Sequence, residues 1–199
     1  MCPNTSAVDR RSSSVNSAVT QAGGCAQAMS STSATASPLI RWSARIHWSP
    51  PANLHITTKF IGEWPEARLD ELTTALAGLA SRPAIPVDIR RVGFFPNPHS
   101  PRVFWCGIDA PGLEGLAADT DKATAALGIA SEARAFSPHL TLARIKERLE
   151  LQPLREAIAA LPSLDFGRFA AGSFFLYQSK LRPTGSLYTK LREYSFAQP

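Results

Sequence analysis

Two short stretches of this 199-residue chain repeat one arrangement of reactive side chains: "NLHITTKFIG", from Asn53 to Gly62, and "PHLTLARIK", from Pro138 to Lys146. Each sets a histidine two residues ahead of a threonine, in a chain with only four histidines. In an extended strand, residues two apart share a face. His55 and Thr57 then point one way and Leu54, Ile56 and Thr58 the other; His139 and Thr141 repeat the pattern against Leu140 and Leu142. Two such strands facing each other across a cleft would offer two imidazoles and two hydroxyls to one small ligand.

That set suits phosphate chemistry. One neutral imidazole can take a proton from an attacking water while a second, protonated imidazole supplies a proton to the departing oxygen. Histidine is the side chain whose ordinary pKa lets both forms coexist near neutrality. Threonine hydroxyls can donate hydrogen bonds to non-bridging phosphate oxygens and offset charge as it builds. The scheme calls for no metal and no cofactor. A lone His-x-Thr strand is more often structural than catalytic, so the weight rests on its occurring twice. A metal site that adds His47 or His99 is the competing functional reading, disfavoured because no carboxylates or thiolates accompany these histidines at a familiar ligand spacing. No nucleophile-elbow pattern appears either.

The elements that must hold these residues are readable in outline. "NLHITTKFI" and "PHLTL" are strand-like, and Leu69, Leu72, Leu76 and Leu79 repeat at helical spacing between Pro65 and Pro83. "IPVDIRRVGFF" and "PRVFWCGI" predict two strands around the loop "PNPHS". A second helix is predicted from about Gly112 to Leu127, and a third, shorter one around Leu154 to Leu161. "GSFFLYQSKLRPTGSLYTKLREYSF" predicts a closing hairpin that turns at "RPTG". Strand runs joined by hairpin loops as well as helices indicate an α+β fold with mainly antiparallel sheet. The comparable placement of the two histidine strands in two strand-and-helix halves suggests two pseudo-symmetric lobes around a central cleft, with flanking helices.

Residues 1–38 are dominated by Ser, Ala, Thr, Asn and Gly and show neither helical nor alternating apolar period; they are expected to be poorly ordered. Residues 39–199 then form a single two-lobed domain. No apolar run is long enough to span a bilayer, so no membrane association is expected. The formal net charge of +5 is a modest bias towards an anionic partner. Three cysteines with no C-x-x-C spacing argue against a disulfide framework and fit a reducing compartment. A cytoplasmic location is expected, with an organellar transit peptide in the acid-poor, Arg-Arg and Ser-containing first segment as the lesser alternative.

From about Trp48 to Phe196 the chain resembles the 2H phosphoesterase superfamily, and within it the RNA 2',3'-cyclic phosphodiesterase family, also called the 2'-5' RNA ligase family. The stretches that carry the resemblance are "WSPPANLHITTKFIGE", "RVGFFPNPHSPRVFWCGI", "FSPHLTLARIK" and "YQSKLRPTGSLYTKLREYSF", in the family's order. The resemblance implies hydrolysis of an RNA or nucleotide 2',3'-cyclic phosphate to a 2'-phosphomonoester; the expected partner is an RNA end or a small cyclic nucleotide, and the expected state is a monomer. It implies that His55 is the proton donor to the leaving 3'-oxygen, that His139 is the proton acceptor that activates water, and that Thr57 and Thr141 hold the phosphate. The residues by themselves leave donor and acceptor open. An RNA-end binding module without turnover and 2'-5' RNA ligation are the alternatives.

Lys59, Phe60 and Arg144 are further candidates for substrate binding. Lys59 shares strand parity with His55 and Thr57; Arg144 does not share that of His139 and would reach the cleft only through a bulge near Ala143. Phe60 or Phe95 could stack on a base. Arg102, Lys180 and Arg182 are candidates for a rim that tracks phosphates. The chain departs from the family in one respect: an apolar strand and a helix usually precede the first motif, where this chain has its polar stretch.

Overall fold

The computed structural model describes residues 18–20, 46–147, 149–182 and 185–197. Its strands are β1 (Ala18–Thr20), β2 (His47–Trp48), β3 (Ile56–Lys59), β4 (Ile85–Phe95), β5 (Val103–Asp109), β6 (His139–Arg144), β7 (Asp165–Ala171), β8 (Ser173–Arg182) and β9 (Gly185–Ser195). Its helices are α1 (Leu69–Ala77), α2 (Leu113–Ala125) and α3 (Gln152–Ala159). The strands join in one sheet in the order β7-β4-β5-β6-β3-β1-β8-β9, with β2 pairing on β6. Every pairing between named strands is antiparallel. The predicted α+β class with mainly antiparallel sheet is the architecture found.

Helices form where apolar residues recur at three and four. In α1, Leu72 and Leu76 are fully buried while Leu69, and Leu79 just past the helix end, pack at the margin. Helix α2 lies between Gly112 and Gly128, whose φ of +95° and +91° glycine adopts without strain. It buries Leu113 and Leu116 and then, in place of further apolar residues, Thr120 and Thr124. Their hydroxyls donate to the Leu116 and Thr120 carbonyls at 2.6 and 2.8 Å, which removes the cost of burying them. The main core, with Ile56, Ile89, Cys106, Ile108, Leu140, Phe174 and Leu176, lies between the sheet and α1 and α2. A second cluster of Ile46, Phe104, Ala143, Ile145, Leu151 and Leu154 lies at α3.

Two expectations are corrected. Strand β7, "DFGRFAA", was not expected: it is an edge strand with mixed exposure and an internal glycine, so its sequence lacks alternation, and its pairing with β4 from Ile85↔Ala171 to Arg90↔Asp165 supplies the order. Ala18–Thr20, inside the stretch expected to be unstructured, pairs with both β3 and β8. A β-ladder is made of backbone groups, so a three-residue segment with no apolar period around it can still be ordered by pairing on both sides. The rest of residues 1–38 lies outside the described residues. The β8–β9 hairpin turns as predicted, Arg182 pairing with Gly185, with Pro183 and Thr184 outside the described residues.

The two parts of the sheet meet at β3 and β6 through a single register pair, Ile56↔Leu140. On one side of that seam lie β6, β5, β4 and β7; on the other lie β3, β1, β8 and β9. Among the described residues, no helix is long and apolar enough to cross a membrane.

Candidate active site

Opposed residues of an antiparallel pair point to the same face. Ile56 and Leu140 are both fully buried towards the core. Extending their register by one residue each way sets His55 across from Thr141 and Thr57 across from His139, all on the other face. The seam thus sets all four motif residues on one face, and the His139 charge is felt at His55. Thr57 and Thr141 are half-buried, and neither hydroxyl has a hydrogen-bond partner among the described residues.

Both imidazoles are held in the same way. His55 Nδ1 lies 2.6 Å from the Asn53 carbonyl oxygen, and His139 Nδ1 lies 2.7 Å from that of Ser137. A carbonyl only accepts, so each Nδ1 carries the proton and donates it, which leaves each Nε2 as the working nitrogen. An aromatic ring supports each one: Tyr188 of β9 meets His55 edge-on at 4.9 Å between centroids, and Phe95 of β4 meets His139 at 5.0 Å. Phe95 rests in turn on Trp105 at 5.1 Å. Burial pushes the His55 imidazole below its ordinary pKa; the Asn53 carbonyl bond opposes this, and the positive charges of Arg144 and His139 add to the lowering.

Arg144 reaches this face through a bulge. Phe104 pairs with Ala143 but Trp105 pairs with Thr141, so Leu142 is an extra residue in β6. The alternation slips by one: Leu140 and Ala143 are both buried, while His139, Thr141 and Arg144 share the open side. Here the bulge sits at Leu142, one residue before the position where one was needed. On the other flank of β6, His47 of β2 pairs opposite Arg144.

Lys59 is not brought to the histidines. It is 5% exposed, and its ammonium donates to Asp121 of α2 at 2.5 Å and to the Ala130 carbonyl at 2.6 Å. Strand parity predicted a substrate contact, but the charge is committed to a brace between β3 and α2. Phe60 is 61% exposed, and no ring contact links it to either histidine among the described residues. Of the two phenylalanines considered for stacking, Phe95 is the one at the site. Tyr188 was missed: it sits in the closing hairpin, and nothing local in "SLYTK" signals a partner as far back in the chain as His55. Trp105 was missed too, although Gly93 opposite it is a trace of its presence. A Cβ on Gly93 would lie 2.3–2.8 Å from three atoms of the indole. Among the described residues, no group of three or more His, Cys, Asp or Glu side chains is placed to hold a metal ion.

A family model for LigT-like phosphoesterases matches residues 32–105 and 108–188. The chain belongs to the LigT-like phosphoesterase family. A relative from Methanocaldococcus jannaschii, named RNA 2',3'-cyclic phosphodiesterase, is 35% identical over 142 residues, covering 71% of this chain and 80% of that one. One of the same name from Methanothermobacter thermautotrophicus is 31% identical over 150 residues, 74% of this chain and 81% of that one. Among solved structures, TT0787 of Thermus thermophilus superposes with a TM-score of 0.73 at 27% identity, covering 92% of this chain and 97% of that one. Apo LigT of E. coli shares the fold, with a TM-score of 0.69 at 22% identity over 93% of this chain and 100% of that one. In this LigT-like chain both His-x-Thr stretches fall inside the matched residues.

Proposed function

We propose that this chain is a 2',3'-cyclic phosphodiesterase that opens the cyclic phosphate at an RNA end, or of a small cyclic nucleotide, to leave a 2'-phosphate and a free 3'-hydroxyl. The observation that carries the proposal is the pair of imidazoles at the β3–β6 seam, each with Nδ1 tied to the carbonyl two residues earlier and Nε2 left to work. The name shared by the relatives from M. jannaschii and M. thermautotrophicus supports the same reaction.

In the mechanism we favour, His139 Nε2 takes a proton from water as the water oxygen bonds to phosphorus. The P–O3' bond breaks on the far side, and His55 Nε2–H gives its proton to O3'. Thr57 and Thr141 donate hydrogen bonds to the non-bridging oxygens, and Arg144 offsets the charge that builds on them. The lowered His55 pKa fits this order: the anionic phosphate, arriving among His139, Arg144 and His55, counters the positive charges that disfavour the proton and helps His55 load it for donation. Solvent exchange returns both imidazoles to their starting states. The two sides of the β3–β6 seam act as two lobes of one domain, each supplying one imidazole and one hydroxyl. The enzyme works as a cytoplasmic monomer.

The test is turnover of a 2',3'-cyclic nucleotide in EDTA, with the product identified. Formation of the 2'-phosphomonoester is expected, and His55→Ala or His139→Ala should each lower the rate by about 10²–10⁴. A 3'-phosphate product or full activity of His139→Ala would overturn the proposal.

A further inference from the structure

The two imidazoles draw their ring neighbours from unequal distances in the sheet. On the His139 side, Trp105 comes from β5, which pairs with β6, and Phe95 from β4 beside it. Tyr188, which meets His55, belongs to β9, with β8 and β1 between it and β3. Neighbouring strands lie about 4.8 Å apart, so strands three apart would stand about 14 Å apart in a flat sheet. Ring centroids at 4.9 Å therefore mean that the sheet curls towards the face of the histidines and brings β9 over to His55.

Plain alternation would turn Tyr188 away from this face. It is an even number of residues from Tyr194 and Phe196, both buried in the main core. A bulge exchanges the faces: Leu176 pairs with Arg192 but Tyr177 pairs with Lys190, so Leu191 is an extra residue in β9. Lys190 lies over the Phe175 ring at 3.9 Å, and its ammonium is 3.4 Å from Glu193, so these three share the side opposite the buried Phe174 and Leu176. Tyr188, two residues from Lys190, joins that side and meets Tyr177 edge-on at 6.4 Å; Tyr177 in turn lies 5.9 Å from Phe175. The Tyr188 hydroxyl has no hydrogen-bond partner among the described residues, so what β9 supplies to His55 is the ring.

The surroundings of His55 work against its positive form. Burial does so most; the Asn53 carbonyl opposes this, and Arg144 and His139 of β6 add to it. Elsewhere around it, Lys190 of β9 is engaged with Glu193, Lys59 of β3 is turned to Asp121, and Ala18–Thr20 of β1 carry no charge. The Asn53 carbonyl fixes one atom of the imidazole, Nδ1. One fixed atom leaves the ring plane able to turn, and the Tyr188 ring blocks that turn. We propose that Tyr188 is the positioning residue of the proton donor: its ring sets the plane of His55 and keeps water off one side of it, so that the positive imidazole depends on a phosphate anion in the cleft instead of on hydration. This rests on the phosphodiesterase reading and adds how its donor is aimed and charged. An imidazole shielded in this way favours its neutral form in the empty cleft and takes up its second proton beside the substrate's charge.

The test follows His55 by NMR titration, with and without inorganic phosphate, beside the pH dependence of kcat and kcat/KM for a 2',3'-cyclic mononucleotide. In the wild type, phosphate should raise the pH at which His55 titrates. Tyr188→Ala lets water reach the ring. His55 should then titrate at higher pH without phosphate, the rise caused by phosphate should shrink, and the alkaline limb of kcat/KM should move to higher pH. Loss of aim should also lower kcat about tenfold. Tyr188→Phe keeps the ring and should restore all of these. Tyr188→Thr, whose branched side chain suits a strand, replaces Tyr188→Ala if that chain does not melt cooperatively, with the same outcomes expected. A fall in kcat with limb and titration unmoved would be general damage and would overturn the proposal. So would a Tyr188→Ala chain that matches wild type, or a Tyr188→Phe chain that does not. A wild type that turns over no cyclic nucleotide defeats the phosphodiesterase reading instead; the His55 titration with phosphate then decides the role of Tyr188.

Discussion

Gly93→Ala probes how the second histidine is held. The indole of Trp105 lies on Gly93, and an added Cβ would stand 2.3 Å from Cζ2, 2.6 Å from Cη2 and 2.8 Å from Cε2. Carbon atoms in contact rest at about 3.5–4.0 Å, so the ring must retreat by about 1 Å. It cannot do so alone, because Phe95 lies against it at 5.1 Å and His139 against Phe95 at 5.0 Å. Overpacking of this kind costs about 1–3 kcal/mol, and about 2–4 °C of Tm per kcal/mol for a chain of this size. A displacement near 1 Å passed to the working imidazole lowers kcat by about 10²-fold. The assay is a thermal melt beside kcat for a cyclic nucleotide. Adding Trp105→Phe should relieve the clash and restore most of the stability. A Gly93→Ala chain that keeps both its melting temperature and its kcat would show that Trp105 and Phe95 do not position His139.

Arg144→Gln separates the two histidine roles. Burial is the main cause of the lowered His55 pKa and Arg144 adds to it, so removing that charge raises the pKa. If His55 must be protonated to act, the alkaline limb of the kcat/KM pH profile moves to higher pH, which is the expected result; movement of the acid limb would make His55 the acceptor. The Lys59–Asp121 brace should be lopsided. Asp121→Asn leaves a buried ammonium with the Ala130 carbonyl as its remaining strong acceptor and costs about 3–5 kcal/mol in denaturant unfolding. Lys59→Met leaves a carboxylate that is partly solvated and still accepts the Glu132 N–H, and costs less; equal losses would refute the asymmetry. The Asp121 pKa is lowered chiefly by the Lys59 hydrogen bond, then by that of the Glu132 N–H. Its stabilisation is present above the ordinary carboxylate pKa and is lost as pH falls through the lowered one, so wild type and Asp121→Asn should converge in acid.

Much of the site was legible because strand alternation is a local property. The spacing of His55 to Thr57 and of His139 to Thr141 sets each pair on one face whatever the rest of the chain does. The same locality made α1, α2, β4 and the closing hairpin readable from apolar spacing and turn residues. Strand β7 was not readable, because an edge strand takes its order from its neighbour's backbone and has little need of an apolar pattern. Nor was β1: it lies between β3 and β8, but at three residues it is too short to show an apolar pattern, and its order comes from the backbones on both sides.

Sequence alone determined that this chain carries two imidazole–hydroxyl pairs on strands with a buried opposite face. Tertiary structure decided that Ile56 and Leu140 are the residues that meet, and this places the pairs side by side. It also decided that a bulge at Leu142 turns Arg144 to the open face, against the parity of an unbroken strand. Lys59 went the other way: its parity matched that of His55, but Asp121 and the Ala130 carbonyl claimed its charge. Tyr188 and Trp105 joined the site through contacts between segments distant in the chain. The physical reason is common to all of these. Which face a side chain takes follows from local backbone geometry, whereas which strand pairs with it, in what register and with which bulge, follows from how the whole chain buries its apolar surface and satisfies its buried charges.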